Sequence, residues 1–190
     1  IWSEDNKYRT WLEVELAASE VLAEAGEVPA EAARLLREHA RFDAARIAGI
    51  EREVKHDVVA FTTAVAESMA AAGHAEASRW LHYGLTSYDV VDTALALQAK
   101  QASALIVQGL ESLGANVIPY IPNRLQGHGL HPPALASLFQ QGATLVITAD
   151  CGTTCYQEVA EAQRQGQDIL ITDHHACPPL LPPALATVNP

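Results

Sequence analysis

Residues 144–175, TLVITADCGTTCYQEVAEAQRQGQDILITDHH, decide the fold of the second half of the chain. The runs 144–149 and 168–172 are short, apolar and rich in β-branched residues, which predicts two buried strands. A helix is predicted between them over 154–165, and Gly166 would close it. Buried strands that are separated by a helix are typical of a parallel, right-handed α/β sheet.

Both predicted strands end in polar residues. Asp150-Cys151-Gly152 follows the first strand, and Asp173-His174-His175 follows the second. Because ligands gather at the carboxyl ends of parallel strands, we expect these two groups to lie close together. Carboxylate and imidazole together suit Mn²⁺, Fe²⁺ or Zn²⁺. Free backbone N–H groups after Asp150 would add an anion site, and a metal beside an anion site is typical of phosphoester hydrolysis.

Each of these signals also has a structural interpretation. An aspartate at a strand end usually caps a helix or forms a turn, and a histidine pair often lies on the surface. It is the combination, at the ends of two neighbouring strands, that favours a metal site.

Outside this stretch the prediction is a helix over 132–140 and a further strand over 116–121. The first half of the chain is predicted to be helical throughout. Helices are expected from a cap at Ser3 to Gly26, from Pro29 to about residue 40, over 43–53, from 57 to 69, and from a cap at Thr86 or Ser87 to about residue 110. The predicted fold class is α + α/β. An all-helical segment, 1–103, is joined through a shared long helix to a small parallel-sheet α/β segment, 104–190.

Composition limits the classes of function. The 190 residues are 49% hydrophobic and 18% charged, with a formal net charge of −11. This is a globular composition, and the acidic balance disfavours a general nucleic-acid coat protein. The three cysteines, an odd number, fit a reducing compartment and do not form a disulfide framework. No membrane-spanning run and no signal peptide are recognised, so a cytoplasmic protein without membrane contact is expected.

The second half resembles the DHH-family phosphoesterases, and among them the single-strand-specific exonucleases of the RecJ type. The resemblance covers about 104–190 and rests on GLESLGANVIPYIPNR, GHGL, LVITADCGTT, ILITDHH and LPPALATVNP. It implies that Asp150 is a metal ligand that bridges two Mn²⁺ ions and that His174 is a further ligand. It also implies that His175 ligates the metal or contacts the scissile phosphate, that Asp173 orients a histidine, and that Arg124 contacts phosphate.

The second half also departs from the DHH pattern. The family's DxDxDG motif does not occur upstream of residue 104, and the family's later aspartate ligand and second, substrate-binding domain would lie beyond residue 190. We therefore expect an incomplete site that binds Mn²⁺ or Mg²⁺ weakly. A nucleotide or single-stranded nucleic acid would be a partner only if this site is competent.

The first half, about 1–101, resembles the N-terminal domain of adenylosuccinate lyase, an enzyme of purine biosynthesis in the fumarase/aspartase superfamily. The resemblance rests on IWSEDNKYRTWLEVELAA, ARFD, EREVKHDVVAFTTAVAE and WLHYGLTSYDVVDTALALQ. It implies that His56 and His82 lie in an active site, with His82 near a nucleotide phosphate. It also implies that Thr86 and Ser87 form hydrogen bonds with the substrate. The alternative is that His56 faces solvent and that Thr86 and Ser87 only cap a helix.

Together these observations predict a fusion, natural or engineered, of two enzyme fragments that meet within a helix near 102–109. Three hypotheses follow. The first is a chimeric scaffold without a complete active site, the second a Mn²⁺-dependent phosphoesterase remnant, and the third a lyase-like purine-nucleotide binder. A homodimer through apolar surface left uncovered by truncation is the expected assembly.

Overall fold

The computed structural model describes residues 1–122 and 129–190. The chain divides into two compact units, Ile1–Ala115 and Asn116–Pro190. The predicted boundary between 103 and 104 falls inside the last helix of unit 1, so it stays a prediction about where the two family segments meet.

Unit 1 is built from helices alone. They are α1 (Glu4–Glu24), α2 (Ala30–His39), α3 (Ala44–Val54), α4 (Asp57–Ala71), the short α5 (Ala75–Ser78) and α6 (Ser87–Ser112). All five predicted helices are present, and α5, a single turn, was not predicted.

Side chains cap the helices where the sequence predicts that they begin. The Ser3 hydroxyl accepts the N–H of Asn6 at 3.3 Å, and Asp43 accepts the N–H of Ala45 at 2.9 Å. Thr86 precedes α6, as expected. These bonds satisfy backbone donors that the first turn of a helix leaves free.

An aromatic cluster forms the centre of unit 1. Tyr8 and Phe61 are stacked with ring centroids 5.9 Å apart, and Trp11 meets Phe61 edge-on at 5.5 Å. Tyr8 and Trp11 are one helical turn apart, so α1 presents both to the core. This cluster fixes the face of α1 that is buried.

Helix α6 runs without a break through residues 102–109, as the predicted fusion within a helix requires. It is also the one helix in the described residues that is long and apolar enough, by length and composition, to cross a membrane, and most of it is exposed. The sequence prediction of no such stretch was therefore too strict. A single helix of this kind is weak evidence for a span, since helices of soluble proteins can pass the same test.

Unit 2 contains α7 (Pro132–Gln140), β1 (Leu145–Ile147), α8 (Tyr156–Arg164), β2 (Asp168–Thr172) and β3 (Ala186–Val188). The three strands form a parallel sheet in the order β1-β2-β3. Val146 is in register with Ile169, and Ile171 with Thr187. The α/β fold class and its parallel sheet are confirmed.

One predicted strand is wrong, and one strand was missed. Residues 116–121 have no regular structure, because Pro119 and Pro122 cannot donate ladder hydrogen bonds. The third strand is instead β3, which follows a proline-rich stretch. The hydrophobic core cluster of unit 2 joins side chains of α7, α8 and β2, namely Leu135, Val159, Ala162, Ile169 and Ile171.

Candidate metal centre and the lyase-like histidines

The candidate metal centre lies at the carboxyl ends of β1 and β2. Backbone hydrogen bonds continue past the strands, since the N–H of Asp150 donates to the carbonyl of Thr172 at 2.9 Å and the N–H of Asp173 to Val188 at 3.1 Å. Asp150 has a φ of 64°, which is rare for a residue with a side chain. Such backbone conformations cluster at functional sites.

Three potential ligands converge there. One ligand atom each from Asp150, His174 and His175 lies within 4.8 Å of the others. Nε2 of His174 is 2.7 Å from Oδ1 of Asp150. All three side chains are exposed. One carboxylate and two imidazoles form a donor set that fits Mn²⁺, Fe²⁺ or Zn²⁺.

Asp173 is hydrogen-bonded to both histidines of the pair. Its side chain is 2% exposed, and its Oδ1 lies 2.6 Å from Nδ1 of His175. The same oxygen accepts the N–H of His174 at 2.8 Å, and Oδ2 accepts the N–H of Thr153 at 3.0 Å. Burial would raise the pKa of Asp173, but the hydrogen bonds from His175, Thr153 and His174 outweigh it and hold the pKa well below its usual range. The bond to Asp173 in turn raises the pKa of His175.

A tight turn joins β1 to the site. The Thr148 hydroxyl donates to the carbonyl of Cys151 at 2.6 Å and accepts the N–H of Thr172 at 3.2 Å. Gly152 has a φ of 116°, and a Cβ there would lie 3.2 Å from Ile171. A side chain at this position would crowd Ile171 and would strain the backbone, which favours glycine at the turn.

Asn189, just after β3, joins the two sides of the centre. Its Nδ2 donates to the Thr153 hydroxyl at 3.1 Å and to the carbonyl of His175 at 2.9 Å. No role was predicted for Asn189 from the sequence. The only signal in the sequence was its place in the LPPALATVNP motif.

The lyase-like residues of unit 1 have clear local roles. His56 caps α4, where its Nδ1 accepts the N–H of Val59 at 3.3 Å. The hydroxyl and N–H of Thr86 donate to Asp89 at 3.0 and 2.7 Å, and Ser87 begins α6. Within the described residues, no hydrogen bond or ring contact joins His56 to His82, Thr86 or Ser87. Their roles in substrate binding stay predictions.

His82 has a different environment, because it is bonded to a buried carboxylate. Glu15 is fully buried in α1, its Oε2 accepts the N–H of His82 at 2.8 Å, and its Oε1 lies 2.6 Å from Nδ1 of His82. Burial raises the pKa of Glu15, and the bonds from His82 oppose that rise. Glu15 was missed, although its spacing after Tyr8 and Trp11 already placed it on the buried face. Arg124, the predicted phosphate contact, lies outside the described residues.

Comparison with protein families identifies two parts. Residues 1–117 match the family described as "Lyase", and residues 98–190 match "DHH family, N-terminal domain". Because the first match covers more than half of the chain, the protein belongs to the lyase family. Its second part matches the DHH family, so the chain is a two-part chimera, as predicted.

Curated relatives specify the first part further. The chain is 48% identical over 128 residues to adenylosuccinate lyase of Streptococcus mutans serotype c, which is 67% of this chain and 28% of the relative. It is 50% identical over 111 residues to adenylosuccinate lyase of Bacillus subtilis, which is 58% of this chain and 25% of the relative. The chain thus spans about a quarter of the length of these relatives.

Solved structures show partial similarity to each part. A crystal structure of exonuclease RecJ bound to manganese is 37% identical, with a TM-score of 0.38, and covers 44% of this chain and 22% of that one. A fumarate lyase from Mesorhizobium sp. BNC1 is 25% identical, with a TM-score of 0.49, and covers 73% of this chain and 28% of that one.

Proposed function

We propose that unit 2 binds a divalent cation of the Mn²⁺ class through Asp150, His174 and His175. The observation that carries this proposal is the convergence of three ligand atoms within 4.8 Å at the end of the parallel sheet. The three side chains are exposed, so a cation can reach them from solvent.

The surrounding residues prepare the site for a cation. A histidine that ligates a metal almost always donates its other ring N–H to a carboxylate, a backbone carbonyl or a water molecule. His175 meets this requirement, because its Nδ1 is bonded to Asp173 and its Nε2 is left for the cation. Asp173 is held in turn by the N–H groups of Thr153 and His174, so its own orientation is restricted.

The proposed ligand class is a phosphoester, either a nucleotide or a short single-stranded nucleic acid. A bound divalent cation would act as a Lewis acid and activate water for attack on phosphorus. The net charge of −11 favours a short substrate over a long nucleic acid. The match of residues 98–190 to the DHH family, whose members are phosphoesterases by the resemblance stated above, supports this class.

Thermal unfolding with and without Mn²⁺ tests the proposal. Binding to the folded state stabilises it by mass action, by about 2.7 kcal/mol when free metal is about 100 times the Kd. We expect a rise in Tm for the parent and no rise for Asp150→Ala. Asp168→Ala is the matched control, since Asp168 is an exposed aspartate at the opposite end of the same sheet, and it should keep the metal-dependent rise.

Equal Tm shifts in parent and Asp150→Ala, or no shift at millimolar Mn²⁺, would contradict the proposal. A chromogenic phosphodiester assayed with Mn²⁺ then separates binding from turnover. Metal binding without turnover would favour the scaffold hypothesis, and turnover lost in Asp150→Ala would favour the phosphoesterase hypothesis.

A further inference from the structure

Glu15 and His82 form a carboxylate–imidazole pair in unit 1, separate from the candidate metal centre. The two residues are 67 positions apart, and they are joined by two contacts, from the backbone N–H and from Nδ1 of His82. Glu15 is fully buried, while the side chain of His82 is 26% exposed. The pair therefore connects a buried carboxylate to a ring that solvent can reach.

The backbone of His82 is held in an uncommon conformation to make this pair. Its φ of 62° is in the left-handed region, where few residues with side chains lie. Such a conformation persists only where the surroundings impose it. Here both oxygens of Glu15 are bonded to one residue, and this fixes its backbone and its ring together.

The contact with Glu15 distinguishes the two ring nitrogens of His82. Oε1 lies 2.6 Å from Nδ1, so that nitrogen is fully engaged. Among the described residues, no hydrogen-bond partner is found for Nε2. The ring therefore contacts the protein through Nδ1, and Nε2 is available to solvent or to a ligand.

We infer that Glu15 is a positioning residue that keeps a proton on Nδ1 of His82 in every charge state of the ring, so that Nε2 is the atom that exchanges protons or meets a ligand. A carboxylate accepts two N–H donors from His82 in this arrangement, which suits its ionised form. In general, the hydrogen bond that one ring nitrogen of a histidine makes decides which of the two nitrogens carries the proton. No step in the proposed metal chemistry depends on this pair.

The variant Glu15→Gln gives a sharp test, because a carboxamide has one acceptor and one donor. The backbone N–H of His82 requires the amide oxygen, so the amide nitrogen must face Nδ1. Nδ1 must then accept a hydrogen bond, and the ring proton must move to Nε2. The substitution keeps the shape of the side chain and reverses the tautomer.

The measurement is ¹⁵N NMR of the histidine rings across a pH titration, with His82 assigned by comparison with His82→Gln. In the parent we expect Nδ1 to stay protonated throughout, and in Glu15→Gln we expect neutral His82 to carry its proton on Nε2. Glu20→Gln is the matched control, since Glu20 is a half-exposed glutamate of α1 that pairs with Arg37, and it should leave the His82 signals unchanged.

Neutral His82 with its proton on Nε2 in the parent would overturn the inference, because the buried carboxylic acid would then be the donor to Nδ1. The parent spectrum decides this point even if Glu15→Gln does not fold. If Glu15→Gln folds and keeps the proton on Nδ1, Glu15 does not set the tautomer and the inference is also wrong.

Discussion

Oδ1 of Asp173 lies 2.6 Å from Nδ1 of His175, and it also accepts the N–H of His174. One buried carboxylate oxygen therefore orients both members of the exposed histidine pair. The other oxygen is bonded to the N–H of Thr153, at the turn that follows β1. Asp173 thus couples the end of β2 to the turn that follows Asp150.

Asp173→Asn is expected to weaken Mn²⁺ binding. The amide would place a donor against one of the N–H groups that the carboxylate now accepts, so the histidine pair would lose its fixed orientation. Loss of such a supporting residue costs about 10- to 100-fold in metal affinity. Isothermal titration calorimetry measures the change, with Asp168→Asn as the control that keeps the parent affinity. Unchanged affinity in Asp173→Asn would show that the ligands are oriented without it.

Gly152→Ala is expected to destabilise unit 2 and to weaken the metal site. A Cβ at Gly152 would lie 3.2 Å from Ile171 and 3.3 Å from the Thr148 hydroxyl, and the φ of 116° is unfavourable for alanine. Strain of this kind costs about 1–3 kcal/mol. Chemical unfolding gives the stability, and Mn²⁺ titration gives the affinity.

Gly142→Ala separates crowding from backbone strain. Gly142 has a φ of 90°, but a Cβ added there would meet nothing within 4 Å. This variant should lose stability through strain alone and keep the Mn²⁺ affinity of the parent. Equal losses of affinity in both variants would mean that crowding at Gly152 does not matter to the site.

The parts of the fold that were predicted are those with a strong local pattern. The long helices and the β-branched runs at β1 and β2 are evident in the sequence. The strand β3 and the helix α5 have three and four residues, too few to show a period. The predicted strand over 116–121 is wrong because Pro119 lies within its apolar run and cannot donate a ladder hydrogen bond.

The difference between local patterns and distant contacts also decides which residues of the candidate sites could be predicted. The convergence of Asp150 with His174 was predicted, because the ends of parallel strands must meet at one edge of a sheet. No role was predicted for Glu15, whose partner His82 is 67 residues away, or for Asn189, whose partners Thr153 and His175 are 36 and 14 residues away. Contacts of that range depend on how the helices and strands pack, which no local pattern reports.

Asn189→Ala is expected to lower Mn²⁺ affinity about 10-fold. The variant removes the two bonds by which Asn189 joins the Thr153 hydroxyl to the carbonyl of His175. Asn116→Ala is the control, because Asn116 is an exposed asparagine of the same unit. If both variants bind Mn²⁺ as the parent does, Asn189 does not support the ligands.

Tyr8 should make unit 1 sensitive to alkaline pH. Burial raises the pKa of Tyr8 to about 12, and the negative charge of Glu4 contributes to this rise. The pKa of a tyrosine in the unfolded chain is about 10. Above that lower value the unfolded chain loses a proton that the folded chain keeps, so stability is complete below about pH 10 and falls as the pH rises toward about 12.

Chemical unfolding of the parent and of Tyr8→Phe across this range measures the effect. The unfolding free energy of the parent should fall relative to that of Tyr8→Phe as the pH rises, since only the parent has the Tyr8 phenol to ionise. Tyr88→Phe, which removes an exposed phenol, should follow the parent at every pH. A difference between the parent and Tyr8→Phe that does not change with pH would contradict the raised pKa.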